Sequence, residues 1–278
     1  MAKAEPSPTV VNTARLNSVL LITLSGPDSR NAIGPAVYED VRAHLIAAGG
    51  DPGLRAIVLT GEGGFFSSGG NVRALRASAG GSPAEAARNT DKLNAMVKAI
   101  VDCPKPVVAA VEGGAAGAAV SVVLACDLVV ASRAAAFTLA YVRVGLCPDG
   151  GATHFLRAAL PRQMAMQMCL LGEPVSAERL AQFGLVNGLT DPGEALNGAL
   201  NLAHRLAAGP PRALANIKRL VNVAPDTGLA TQMDLEAEAL NAARFGAEAA
   251  EGLAAFLEKR PANFPAAGGR GQAEGGGT

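Results

Sequence analysis

Short runs of aliphatic and β-branched residues alternate along the chain with longer stretches in which apolar positions return every third or fourth residue. That alternation is the pattern of an α/β core. The runs predict strands over residues 19–24, 55–60, 107–111 and 127–131. Residues 34–48 carry Val37, Val41, Leu45 and Ala48 at helical spacing, and residues 83–101 open on Pro83, tolerated in a first turn, with Leu93, Val97 and Ile100 further on. From residue 193 onward no strand pattern remains. Helices are predicted over 195–207, 211–223, 232–245 and 247–259, the last with Ala250, Leu253, Ala254 and Leu257 on one face. Such an extension needs a second surface for its apolar faces, either the core or a neighbouring subunit.

Composition narrows the classes. Of 278 residues, 49% are hydrophobic, and 24 basic residues balance 24 acidic ones, which excludes a disordered chain and disfavours a nucleic-acid partner. With no Trp and two Tyr, a base-stacking platform is not expected either. The greasiest stretch, around 107–131, is broken by Glu112 and Asp127, and the 14 uncharged residues between them are too few to span a bilayer. Cys103, Cys126, Cys147 and Cys169 form no metal-ligand spacing and read as buried reduced thiols, so no metal site is expected. The N-terminal residues lack an apolar stretch behind a basic start, so the expected location is cytoplasmic. Both ends, Pro-rich at the start and Gly-rich from 265 to 278, read as flexible tails.

Two glycine-rich segments follow predicted strands and precede helices: residues 61–72, Gly-Glu-Gly-Gly-Phe-Phe-Ser-Ser-Gly-Gly-Asn-Val, and residues 112–121, Glu-Gly-Gly-Ala-Ala-Gly-Ala-Ala-Val-Ser. Small residues at a strand-to-helix switch leave backbone N–H groups and a helix N-terminus free to face an anion. Neither segment carries the Gly-Lys-Ser/Thr of a phosphate loop, the G-x-G-x-x-G of a dinucleotide site or the G-x-S-x-G of a nucleophile elbow. Each alone is also compatible with a tight turn.

The order of Phe66-Ser-Ser-Gly-Gly-Asn-Val, Pro104-Lys-Pro-Val-Val-Ala-Ala-Val-Glu-Gly, Ala125-Cys-Asp-Leu-Val-Val-Ala and Gly145-Leu-Cys-Pro-Asp-Gly-Gly resembles the crotonase (enoyl-CoA hydratase/isomerase) superfamily over about residues 19–264. The resemblance implies an α/β fold, a spiral of ββα units with a C-terminal helical oligomerisation region. It divides the chain into a tail at 1–9, a spiral core at 10–192, a helical trimerisation region at 193–264 and a tail at 265–278. It also implies an acyl-CoA thioester as substrate, coenzyme A as part of that substrate with no prosthetic group, no membrane or nucleic-acid partner, and a homotrimer or dimer of trimers.

Carried over position by position, the resemblance makes the N–H groups of Gly70 and Ala118 the donors to the thioester oxygen. Two glutamates of typical hydratases fall on Ser121 and Tyr141, neither of which is a carboxylate. Adding water needs one group to activate it and another to manage the α-proton, so ordinary hydration is disfavoured. The remaining candidate is Asp149. On sequence alone Pro-Asp-Gly reads as a turn in which Asp caps the following helix; the resemblance instead gives it the role of the catalytic aspartate of several isomerases. The related dehalogenases also need a His in the preceding helix and a Trp, and residues 83–102 contain no His and the chain no Trp.

For the rest of the ligand, the resemblance places Arg30, Ala32, Ser68, Gly70, Asn71, Val72, Arg73, Phe256 and Lys259 around coenzyme A, and Gly117, Ser121, Tyr141 and Pro148 around the acyl group. His44 and His204 read as ordinary helix residues. The fuller pattern over 139–151 is most similar to members linked to phenylacetate catabolism, ring-epoxide isomerases and alternative-type oxepin-CoA hydrolases. The expected activity is isomerisation of an unsaturated or aromatic-derived acyl-CoA with Asp149 as acid/base; the alternatives are an enoyl-CoA hydratase or a thioester-binding protein with decayed catalysis.

Overall fold

A computed structural model describes residues 7–77 and 80–264. Of the expected tails at 1–9 and 265–278, residues 1–6 and 265–278 lie outside the described residues, and Thr9 is not part of a tail, since it is buried against Gly26.

Strands β1 (Val10–Leu16) and β2 (Val19–Ser25) form an antiparallel hairpin, turned at Asn17, whose φ of 57° is the left-handed conformation Asn tolerates. Helix α1 (Pro35–Gly50) leads to β3 (Ala56–Gly61), then come α2 (Val72–Ala77), α3 (Pro83–Asp102), β4 (Val107–Val111), β5 (Gly114–Ala116) and α4 (Ala118–Ala125). The chain continues through β6 (Leu128–Ser132), β7 (Ala136–Thr138), α5 (Ala152–Ala159), α6 (Arg162–Leu171), β8 (Val175–Ser176), α7 (Ala177–Ala181) and β9 (Gly188–Thr190). Four helices close it: α8 (Ala195–Ala207), α9 (Pro211–Val223), α10 (Leu229–Arg244) and α11 (Ala247–Glu258).

The larger sheet has the order β1-β2-β3-β4-β6-β9, parallel from β2 onward, and β5-β7-β8 form a second, smaller sheet. Strand pairs such as β4-β5 and β6-β7 give one strand to each sheet before a helix follows, which is the expected ββα spiral. Strands β3 and β4 are aliphatic throughout because both their faces are covered. Ile57, Leu59, Val107, Ala109 and Val111 point to one face, against α1, α3 and α4; Ala56, Val58, Val108 and Ala110 point to the other. There α8 lays down Ala195, Ala199, Ala203 and Ala207, one per turn, and these small side chains let the helix lie close on the sheet.

Helix α8, the first of the 193–264 segment, thus forms a layer on the sheet, and α9–α11 continue beyond it. They are held at the N-terminal ends of the strands. Lys218 of α9, nearly buried, donates to Asp127 Oδ2 at 2.7 Å and to the Ile100 carbonyl at 2.8 Å. Arg55, just before β3, donates to the carbonyls of Ala207 and Phe264 at 3.1 and 3.0 Å. The C-terminal ends of β3 and β4 run instead into the two glycine-rich segments.

Candidate functional site

The first wall of the site is backbone. Asn31, fully buried, accepts from the Gly26 N–H at 2.9 Å and donates to the carbonyls of Glu62 and Phe65 at 2.8 and 2.7 Å, so one amide side chain fastens the turn at 26–33 to the segment after β3. Ser67 and Ser68 complete the seam through the Asn31 and Ser29 carbonyls, at 2.7 and 2.9 Å. The segment after β3 then meets the one after β4: Ala116 N–H donates to the Ser67 carbonyl at 3.0 Å, and a bridge joins Ser67 to Ala115. Gly69 makes this approach possible. Its φ is +80°, and a Cβ there would stand 2.2 Å from the Ala116 carbonyl oxygen and 3.2 Å from the Ala118 nitrogen.

Gly70 and Ala118 are therefore presented side by side. Among the described residues neither N–H donates to a protein acceptor. Ala118 is the first residue of α4, where the helix leaves its N–H groups unpaired and the helix dipole favours negative charge. A thioester oxygen gaining charge is stabilised by donors of this kind, and their side chains need only be small.

The second wall is made of side chains. Ser121 lies one turn beyond Ala118, fully buried, and donates to the Asp149 carbonyl at 2.7 Å. This bond places the Asp149 bend against the first turn of α4. Gly150, at φ +60°, is needed for it, since a Cβ there would come within 3.0 Å of the Ser121 Cβ. Tyr141, from the 3-10 turn Ala140–Val144, donates its phenol to Asp149 Oδ1 at 2.5 Å. Burial first, then this bond and the carboxylate charge, push the Tyr141 phenol well above its usual value. Asp149 does not cap α5: the cap position is Gly151, without a side-chain bond. The turn reading of Pro-Asp-Gly accounts for the backbone but not for the carboxylate.

The structure thus brings Gly70, Gly117, Ala118, Ser121, Tyr141, Pro148 and Asp149 into neighbouring segments. Arg30 lies at the rim, exposed, its guanidinium 5.5 Å over the Phe65 ring, with half-buried Ala32 and Ser68 beside it and exposed Asn71 and Val72 at the start of α2. The Arg73 side chain falls outside the described residues. Phe256 and Lys259 are not brought to this site within one chain: they sit on the α11 end, Phe256 82% exposed, and α11 packs on α10. His154 is exposed beside Phe155. The expectation of four buried thiols holds for Cys103 and Cys126 only. Cys147 is exposed and Cys169 half-buried, because the bend at 142–147 and the end of α6 lie at the surface.

Two residues were missed by sequence reasoning. Asn31 is one, and its signal was a polar residue in a left-handed turn, at φ 55°. Tyr38 is the other. It lies on the buried face of α1, and burial, followed by the charge of Asp149, raises its phenol to about 12. A phenol beside an aliphatic stripe was the available clue. Among the described residues no cluster of His, Cys, Asp and Glu is placed to hold a metal ion, and no helix is long and apolar enough to cross a membrane.

Comparison with known proteins adds an independent line. Residues 14–267 match the family model described as Enoyl-CoA hydratase/isomerase. A probable enoyl-CoA hydratase of Rhodobacter capsulatus is 38% identical over 250 residues, 88% of this chain and 93% of that protein. The 1,2-epoxyphenylacetyl-CoA isomerase of Escherichia coli is 33% identical over 247 residues, 88% of this chain and 94% of that one. Among solved structures, an enoyl-CoA hydratase from Polaromonas superposes with a TM-score of 0.90 at 41% identity, covering 92% of this chain and 99% of that one.

Proposed function

The chain belongs to the enoyl-CoA hydratase/isomerase family, and from that premise we propose that it isomerises an unsaturated or ring-derived acyl-CoA, with Asp149 as the acid/base group. One observation carries the choice of isomerisation. At Ser121 and Tyr141, where the resemblance puts a hydratase's two glutamates, stand hydroxyls already committed to Asp149. Hydration divides its work between two groups, whereas a 1,3-proton shift needs one carboxylate.

In the proposed reaction Asp149 removes a proton from C2 of a 3-enoyl thioester. The electron pair moves into the thioester, and the N–H groups of Gly70 and Ala118 hold the oxygen of the resulting dienolate. Asp149 then returns the proton to C4, leaving the double bond between C2 and C3. The same base and donors suit a ring-derived thioester, a class in keeping with the E. coli relative's name.

Arg30 and Arg73, with Ala32, Ser68, Asn71 and Val72, are proposed to meet coenzyme A. Phe256 and Lys259 would reach it from a neighbouring subunit in a homotrimer or dimer of trimers. The exposed apolar residues of α10 and α11, such as Leu240, Phe245 and Leu257, support an assembled state. A cytoplasmic location belongs to the same proposal.

The test is a side-by-side assay with 3-enoyl- and 2-enoyl-CoA of equal chain length, products followed by mass spectrometry and chromatography. A same-mass product from the 3-enoyl thioester is expected. Rapid gain of water by the 2-enoyl thioester would replace the proposal with a hydratase. If neither thioester nor a ring-derived one turns over, yet acyl-CoA raises the Tm, a binding protein is left.

A further inference from the structure

The chain has two tyrosines, and both stand around Asp149. Their relations to it differ. Tyr141 is hydrogen-bonded to Oδ1, and Ser121 grips the same residue by its main-chain carbonyl. Oδ2 makes no hydrogen bond among the described residues, and it is not one of the side-chain atoms sealed from solvent without a partner. The two carboxylate oxygens are therefore in unlike states, one engaged and one open.

We propose that Tyr141 is a positioning residue: its phenol fixes Oδ1 and so reserves Oδ2 as the single oxygen that meets the substrate carbon. The role rests on Asp149 being the acid/base group proposed above. The χ2 torsion of an aspartate is broad and roughly two-fold, so an untethered carboxylate would exchange its oxygens and lose its aim. A short O–H···O⁻ bond is among the strong hydrogen bonds and restricts that rotation.

Tyr141 is not itself the acid. Burial and the carboxylate hold its proton far above neutral pH, so it stays a donor that does not transfer. Among the described residues, the titratable groups that share an electrostatic interaction with Asp149 are Tyr141 on its own bend and Tyr38 on α1. Helix α4 presents only the Ser121 hydroxyl; α3 presents Leu93 toward Gly150, while its Lys92 pairs with Glu39 at the surface, at 2.9 Å.

The experiment has an optical and a kinetic arm. With no Trp in the chain, a Tyr38→Phe protein excited in the tyrosine band, beyond phenylalanine absorption, emits from Tyr141 alone. At one neutral pH its emission is expected to be weaker than that of Tyr38→Phe/Asp149→Asn, a step that reports quenching by the bonded carboxylate, with the far-UV circular dichroism unchanged. Equal emission from the two proteins overturns the proposal, and this arm needs no turnover. In the kinetic arm, Tyr141→Phe should lower kcat with 3-enoyl-CoA about tenfold and leave KM within about twofold. A merely structural Tyr141 would lower the Tm without that split, and a kcat within about twofold of the wild type overturns the role. If the wild type turns over no thioester, the proposed function fails separately, and the emission step still decides whether Tyr141 holds the carboxylate.

Discussion

The two walls of the site are built from different materials. Around Gly70 and Ala118 the working atoms are backbone N–H groups, and the side chains matter only by being small or by fastening loops, as Asn31 and Ser67 do. Around Asp149 side chains do the work: the Tyr141 hydroxyl serves the carboxylate, and the Ser121 hydroxyl holds the Asp149 main-chain carbonyl. The first wall can stabilise an enolate oxygen whatever the reaction that forms it. In the proposed reaction the second decides where protons go. A fold that keeps the first and rewrites the second changes its chemistry without changing its architecture.

The sharpest way to break this division is Asp149→Asn. The amide keeps the shape and can still accept from Tyr141, so a non-reactive acyl-CoA should raise the Tm as in the wild type, while kcat falls on the order of 10³-fold. Activity within a few-fold of wild type would move the acid/base role elsewhere.

The complementary attack on the backbone wall is Gly69→Ala. A Cβ 2.2 Å from the Ala116 oxygen must push the two glycine-rich segments apart, at a φ that costs a non-glycine residue about 1–3 kcal/mol. Displacing the donors at Gly70 and Ala118 should lower kcat on the order of 10²-fold. Because binding shares the thioester contact, acyl-CoA should also stabilise this variant less, which Asp149→Asn should not show. Equal loss of ligand stabilisation in both variants would deny the two walls separate roles.

Legibility followed the same division. The core strands were readable because aliphatic runs buried on both faces look like nothing else, and 107–111 coincides with β4. Helices α8 and α9 match the periodicity at 195–207 and 211–223, since their apolar stripes are regular. Strand β1 was missed: most of its residues are exposed, so no apolar alternation marks it. Strands β5, β7, β8 and β9 have two or three residues, too few for a period to register. The two glycine-rich segments were legible because small residues at a strand-to-helix switch stand out, and the resemblance singled out Gly70 and Ala118 within them. That Tyr38 and Tyr141 flank Asp149 was not, because no local spacing reveals which distant side chains meet. Cys147 was misread as buried since its neighbours are apolar, but Val144 and Leu146 are exposed along with it.

A smaller effect separates architecture from chemistry inside the second wall. Ser121→Ala removes the donor to the Asp149 carbonyl, which still receives the Ala152 N–H at 3.3 Å. Loss of one neutral hydrogen bond costs about 1 kcal/mol, a fall in Tm of about 2–4 °C. With Tyr141 still holding the carboxylate, kcat should drop only a few-fold. A loss as deep as that of Asp149→Asn would show that the bend, and not the phenol, sets the aim.

The smallest effect lies outside both walls, at the end of α11. Glu251 accepts from Arg260 through both oxygens, at 2.7 and 2.9 Å, and from the Asn263 N–H at 2.7 Å. The Arg260 bonds, then that of Asn263, bring the Glu251 carboxyl down to about 2. Its folded value is thus below the ordinary glutamate value, so its stabilising contribution is complete above that ordinary value and is lost as pH falls from about 4 towards about 2. The half-buried carboxylate lies at the surface and is screened by salt, so the Tm of Glu251→Gln should trail the wild type only slightly at pH 7, and the gap should close over that acid range. An unchanged gap at pH 2 would deny the pair its role. The kinetics matter as much. A remote helix end leaves kcat and KM alone, whereas a raised KM with unchanged kcat would mean that the turn bearing Phe256 and Lys259 reaches a substrate in another subunit, adding to the two walls a third that one chain does not complete.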